Sequence, residues 1–161
     1  MVDSQRDIIL RGAFAQTLSG RTGEIKLLWQ HQQDEPIGVF DRMFEDERGL
    51  YVEGRLLLDV RRAKEAMILL KAGAISGLSI GYSPVRYCID ADTGIRLLAE
   101  VDLWEVSLVT FPANEVAGVT VVKQGRVHSH RVKESEREVQ TGKINELIIE
   151  LDRAIGVITT R

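Results

Sequence analysis

The chain has 161 residues, 44% hydrophobic and 28% charged, with a formal net charge of -3; this suffices for one compact domain and a tail, and lacks the basic excess of a nucleic-acid binder. No apolar run approaches the ~18 residues that span a bilayer, and the opening MVDSQRDIILRG lacks the apolar core of a signal peptide, so a cytosolic protein is expected. The one cysteine, Cys88, excludes an internal disulfide, and none of the three histidines, His31, His128 and His130, has a Cys or Glu at zinc spacing, so neither metal nor other cofactor is expected.

Residues 7–18 carry Ile8, Ile9, Leu10, Phe14 and Leu18, which predicts a short strand or turn followed by about two helical turns. Ser19, Gly20, Thr22 and Gly23 mark a loop. IKLLWQH (25–31) reads as a buried strand with a polar end. PIGVFDRMFED (36–46) and LYVEGRLLLD (50–59) read as two strands of an antiparallel hairpin. Asp59 is the predicted N-cap of a helix bearing Val60, Ala63, Met67 and Leu70, with Gly73 at its stop. AISGLSIGYSPVRYCID (74–90) reads as a glycine-containing strand, Asp90 to Gly94 as a turn, and IRLLAEVDLWEVSLVTF (95–111) as a long returning strand. PANEVAG (112–118) reads as a turn or short helix and GVTVV (118–122) as a last strand.

After this folded domain (1–122), residues 123–143 have too few large apolar side chains to offset their ordering entropy, which predicts a flexible linker. Residues 144–161 place Ile144, Leu147, Ile148, Leu151 and Ile155 on one helical face, which predicts an amphipathic helix. The expected class is α+β and mostly β. A small closed or half-closed antiparallel β-barrel with peripheral helices would hide the sheet edges.

Ser79 lies in SGLSIGY between Gly77 and Gly81, which share its strand face. The hydroxyl would stand on bare backbone that a peptide substrate can approach, making Gly77 and Gly81 candidate substrate-binding positions. The same pattern also suits an ordinary small-residue strand with a bulge. His31 is the one histidine outside the predicted linker, and an imidazole suits the general base that a serine nucleophile needs. A strand-end histidine bonded to solvent is the plainer alternative. Glu105 falls by alternation on one face with Val101, Leu103, Ser107 and Val109, where a carboxylate needs a compensating partner such as an imidazole. A water-exposed glutamate or an arginine salt bridge would also explain it, and Asp102 is the rival carboxylate. GLSIG is not the nucleophile elbow of an α/β-hydrolase, because a strand pattern continues beyond it.

The succession RGAFAQTL, LLWQHQQDEPIGVF, GLYVEGRLLLD, LLKAGAISGLSIGY and LWEVSLVTFPAN resembles the prohead protease family of tailed bacteriophages, over roughly residues 11–122. That family is similar in fold to the herpesvirus capsid-maturation protease, assemblin. The resemblance implies a β-barrel with surrounding helices and a serine endopeptidase with Ser79 as nucleophile, His31 as base and Glu105 as the third member. In assemblins that third place holds a second histidine. The implied partners are phage scaffolding protein and major capsid protein, cut inside the assembling prohead in the host cytoplasm. Self-cleavage within 123–143 and a homodimer are further expectations. The alternative from another class is a non-enzymatic capsid-assembly protein that keeps the fold.

Overall fold

The computed structural model describes residues 2–122 with side chains and the backbone of 149–151. Strands β1 (Asp7–Ile9), β2 (Lys26–Trp29), β3 (Gln32–Glu45), β4 (Leu50–Leu56), β5 (Gly77–Ile89), β6 (Arg96–Val109), β7 (Val119–Val122) and β8 (Ile149–Leu151) dominate. Helix α1 (Ala15–Leu18) is a single turn, shorter than expected, and α2 (Arg61–Lys71) is the main helix.

β6 organises the sheet. β5 pairs antiparallel with it along its length, from Gly77↔Val109 to Ile89↔Arg96. Its other edge takes β1 in parallel at Arg96 to Leu98 and β2 in parallel at Glu105 to Leu108. Between them, the turn into α1 supplies the missing partners. Val101 N–H donates to the Ala13 carbonyl at 3.0 Å. The buried Thr17 hydroxyl donates to the Val101 carbonyl at 2.9 Å and accepts from Leu103 N–H at 3.2 Å. The central strand thus keeps its backbone groups satisfied.

β2 turns into β3, and β3 pairs antiparallel with β4. The sheet is therefore open, running β1/β2 beside β6 and out through β3 to β4, with β5 on the far side of β6. No pairing between β4 and β5 closes a barrel among the described residues, and two pairings are parallel in a sheet expected as an antiparallel barrel.

The core gathers Phe14, Leu27, Ile37, Leu50, Val52, Leu56, Leu98, Val101, Leu103, Val106 and Leu108, all almost fully buried. α2 contributes Ala63, Ala66, Met67 and Leu70. Its N-cap is Val60 in extended geometry with no side-chain cap, so Asp59 does not serve as predicted. Its C-terminus ends at Gly73 (φ +69°). Gly73 N–H bonds the Leu70 carbonyl and Ala74 N–H the Leu69 carbonyl, the paired bonds of a Schellman cap.

Ile149–Leu151 form a strand antiparallel to β7, with Val122↔Ile149 in register. Part of the segment expected as an amphipathic helix is thus extended, because apolar residues at this spacing can also be recruited to a sheet edge. The rest of that segment and the predicted linker lie outside the described residues.

Candidate active site

The three candidate residues lie on or beside three neighbouring strands, β5, β6 and β2. His31 is not at the end of a long strand. β2 stops at Trp29, and Gln30 and His31 form the tight turn into β3, with Trp29↔Gln32 as flanking partners. Both turn residues have positive φ, 51° and 60°. Two consecutive left-handed residues are the signature of a type I′ hairpin turn, which normally takes Asn-Gly or similar. A glutamine and a histidine there are conformationally costly, and such strain persists where the surroundings fix it.

Those surroundings are the end of β6. Gln30 N–H donates to the Leu108 carbonyl at 2.9 Å. The Gln30 amide donates from Nε2 to Thr110 Oγ1 at 2.8 Å and accepts Thr110 N–H through Oε1 at 3.3 Å. His31 N–H donates to Ser107 Oγ at 3.1 Å. The turn is stitched by two of these bonds to β6 and by two to Thr110 just beyond it, and the imidazole reaches Glu105 of that strand.

Glu105 is brought to the same place by a break in the β6 ladder. Gly81 pairs with Glu105, but the next residue, Tyr82, pairs with Leu103, so Trp104 is an extra residue on β6. The bulge reverses the alternation. Val101 and Leu103 fall on the core face with Val106 and Leu108, not with Glu105 as strict alternation suggested. Glu105, Ser107 and Val109 face the same way as Gly81, Ser79 and Gly77 opposite them. The rival Asp102 is paired instead with Arg21 at 2.6 Å.

Glu105 Oε1 lies 2.6 Å from His31 Nδ1. Its side chain is only 10% exposed, against 45% for His31. The hydrogen bond to Glu105, aided by its charge, holds the imidazole above its ordinary pKa despite partial burial. Because the bond occupies Nδ1, Nε2 is the nitrogen left to take up a proton. Ser107 Oγ donates to Glu105 Oε2 at 2.6 Å, so both carboxylate oxygens are engaged.

Ser79, half-buried, sits directly opposite Ser107 across the β5–β6 ladder, next to the Gly81–Glu105 pair. Among the described residues no hydrogen bond joins its hydroxyl to His31. The strand register places Ser79 on the same face as Glu105, two residues along β5 from the Gly81–Glu105 pair. A cleft lined by Ile9, Leu50, Leu78, Ile80, Tyr82 and Val106 also touches Ser79 but does not reach His31 or Glu105.

A side chain at either glycine beside Ser79 would meet neighbouring atoms. A Cβ at Gly81 would overlap Glu105 Oε1 and lie 2.9 Å from its Cγ. One at Gly77 would lie 2.8 Å from Pro112 Cδ and from the Val109 carbonyl. The strip is already occupied, by the acid at one position and by the 109–112 segment at the other. Ser107 and the Gln30–Thr110 bond escaped the sequence reading. A serine two residues from a candidate acid was the available signal for the first, and only the turn geometry reveals the second.

Ser79 thus lies on the strand beside the one that bears Glu105, the partner of His31. The caudovirus prohead serine protease family matches residues 1–135, and the chain belongs to that family. It is 38% identical over 125 residues to the prohead protease of Enterobacteria phage HK97, covering 75% of this chain and 55% of that protein. It is 27% identical over 137 residues to the prohead protease of Escherichia phage T5, covering 80% and 61%. It is also 38% identical over 108 residues to the capsid polyprotein of Pseudomonas phage PAJU2, covering 62% of this chain and 16% of that one. The chain thus spans about half to three fifths of the prohead proteases it matches. No solved structure matches it.

Proposed function

We propose that the chain is a serine endopeptidase that cuts scaffolding protein, or the scaffold-like extension of the major capsid protein, within assembling phage proheads in the host cytoplasm. The observation that carries this reading is the 2.6 Å bond from Glu105 to His31 Nδ1, on the strand beside the one that bears Ser79. His31 Nε2 takes the Ser79 proton as the hydroxyl oxygen attacks a scissile carbonyl. Glu105 keeps the imidazole oriented and offsets its charge. The imidazolium then protonates the leaving amine, and water, activated by the same base, releases the acyl group. A match to one part of a protein named capsid polyprotein supports a substrate in the capsid shell.

A herpesvirus-protease-like barrel belongs to the same reading. In its support, Leu50 of β4 and Leu78 and Ile80 of β5 line one cleft. Among the described residues no helix is long and apolar enough to cross a membrane.

The test is incubation with the neighbouring scaffold and capsid proteins. Defined fragments are expected from the native chain, and Ser79→Ala should lower their formation on the order of 10³- to 10⁶-fold. Cleavage by Ser79→Ala at the native rate would refute the assignment. Complete absence of fragments with either protein would favour a non-enzymatic assembly role.

A further inference from the structure

Ser107 is completely buried, a strand residue whose hydroxyl bonds to neither neighbouring ladder. It touches the two partners of the candidate dyad instead. A carboxylate only accepts, so the Ser107 proton must go to Glu105 Oε2, at 2.6 Å. An oxygen lone pair is then left for His31 N–H, at 3.1 Å. One hydroxyl therefore ties the acid to the backbone of the base.

We propose that Ser107 is a positioning residue of the protease, fixing both the Glu105 carboxylate and the left-handed His31 turn so that Oε1 meets Nδ1. The proposal rests on the triad reading above. The physical need is plain on both sides. His31 stands at φ +60°, a conformation that a β-carbon resists, so its N–H needs an anchor. Glu105 would otherwise be free to rotate about its last torsion, and one oxygen must stay on the imidazole to keep the reactive tautomer. Bare Gly81 completes the device. The carboxylate lies across that residue, where any side chain would displace it. Glu105 is also the charged group that bears on the imidazole, so its placement is readable in the His31 titration.

The experiment compares Ser107→Ala and Ser107→Cys, the latter keeping the volume with a poor hydrogen-bond donor. His31 titration is followed by NMR of the imidazole in the full chain, and cleavage is measured against pH. Loss of the anchor should lower kcat/KM about 10- to 100-fold, the cost of a modest misplacement. It should also move the His31 midpoint down towards the ordinary ~6.5. In a Glu105→Ala background, Ser107→Ala should cost less than it does alone, because its hold on the carboxylate no longer counts and only its bond to the His31 N–H is left to lose. If Ser107→Ala does not fold, Ser107→Cys carries the same readings. An unmoved His31 midpoint in a folded variant, or losses that multiply in the double variant, would overturn the positioning role. With His31→Ala and Ser79→Ala inactive, such a result leaves the triad standing. Native-rate cleavage by Ser79→Ala would instead bring down the triad reading, and the positioning role with it.

Discussion

His31 occupies a turn position where glycine or asparagine would fold more readily, and its imidazole stays attached to Glu105. Because that bond raises the imidazole pKa, the base is protonated and idle at low pH. The expected profile of kcat/KM therefore rises with pH through a midpoint above the ordinary ~6.5. Glu105→Gln should shift that midpoint to lower pH and cost on the order of 10²- to 10⁴-fold in rate. A pH–rate series on the two proteins checks both numbers. Gly81→Ala is a second probe at this scale, because the added methyl must push Glu105 aside. Cleavage should fall at least about tenfold with the fold retained, as read by assay and circular dichroism together. Ser79, His31 and Glu105 could be singled out as candidates in the sequence, but the groups that lie across the glycines could not. Spacing reveals that a position is bare, and only the register shows which group lies across it.

At the scale of elements, the hairpin turn and the bulge do most to assemble the site. Alternation along 101–109 suggested one continuous face, yet Trp104 interrupts it, and no local propensity marks the interruption. The hydrophobic pattern itself held a clue. Leu103 and Val106 are both core residues, a spacing of three that an unbroken strand cannot bury on one side. The strands and the stop at Gly73 were readable because they rest on local periodicity and a left-handed cap. The strand at 149–151 was not, because its pairing is with distant β7. β1 is held by another polar device. Asp7, almost fully buried, accepts from Arg96 Nε at 2.8 Å and from the Tyr82 hydroxyl at 2.7 Å. Burial pushes its carboxyl up, but the bonds from Arg96 and Tyr82 and the arginine charge outweigh this, and its pKa lies below the ordinary value. A lowered carboxyl pKa stabilises the fold above the unfolded value of ~3.9, and this support is lost as pH falls through the folded value. Asp7→Asn should therefore destabilise the protein by about 2 kcal/mol at neutral pH and by less under acid conditions, as measured by denaturant titration at both.

For the whole molecule, the site exists only because β5 and β2 flank the same stretch of β6. The parallel β2–β6 pairing brings together residues far apart in the chain, a contact that composition and spacing cannot disclose. The family resemblance supplied the association of residues that the topology then explained in part. Beyond the described domain, self-cleavage within 123–143 is expected. Intact-mass spectrometry should find a shortened chain in the native protein and only the full chain in Ser79→Ala. Equal shortening in both would assign the cut to another protease.

In the proposed mechanism Ser79, His31 and Glu105 act as one unit. The direct measurement is kcat/KM on a scaffold-derived peptide for the Ser79→Ala and His31→Ala single variants and for the triple alanine variant. Either single variant should lose nearly as much as the triple, within about tenfold, because each alone disables the unit. Losses that multiply from single to triple would show independent contributions and contradict the mechanism.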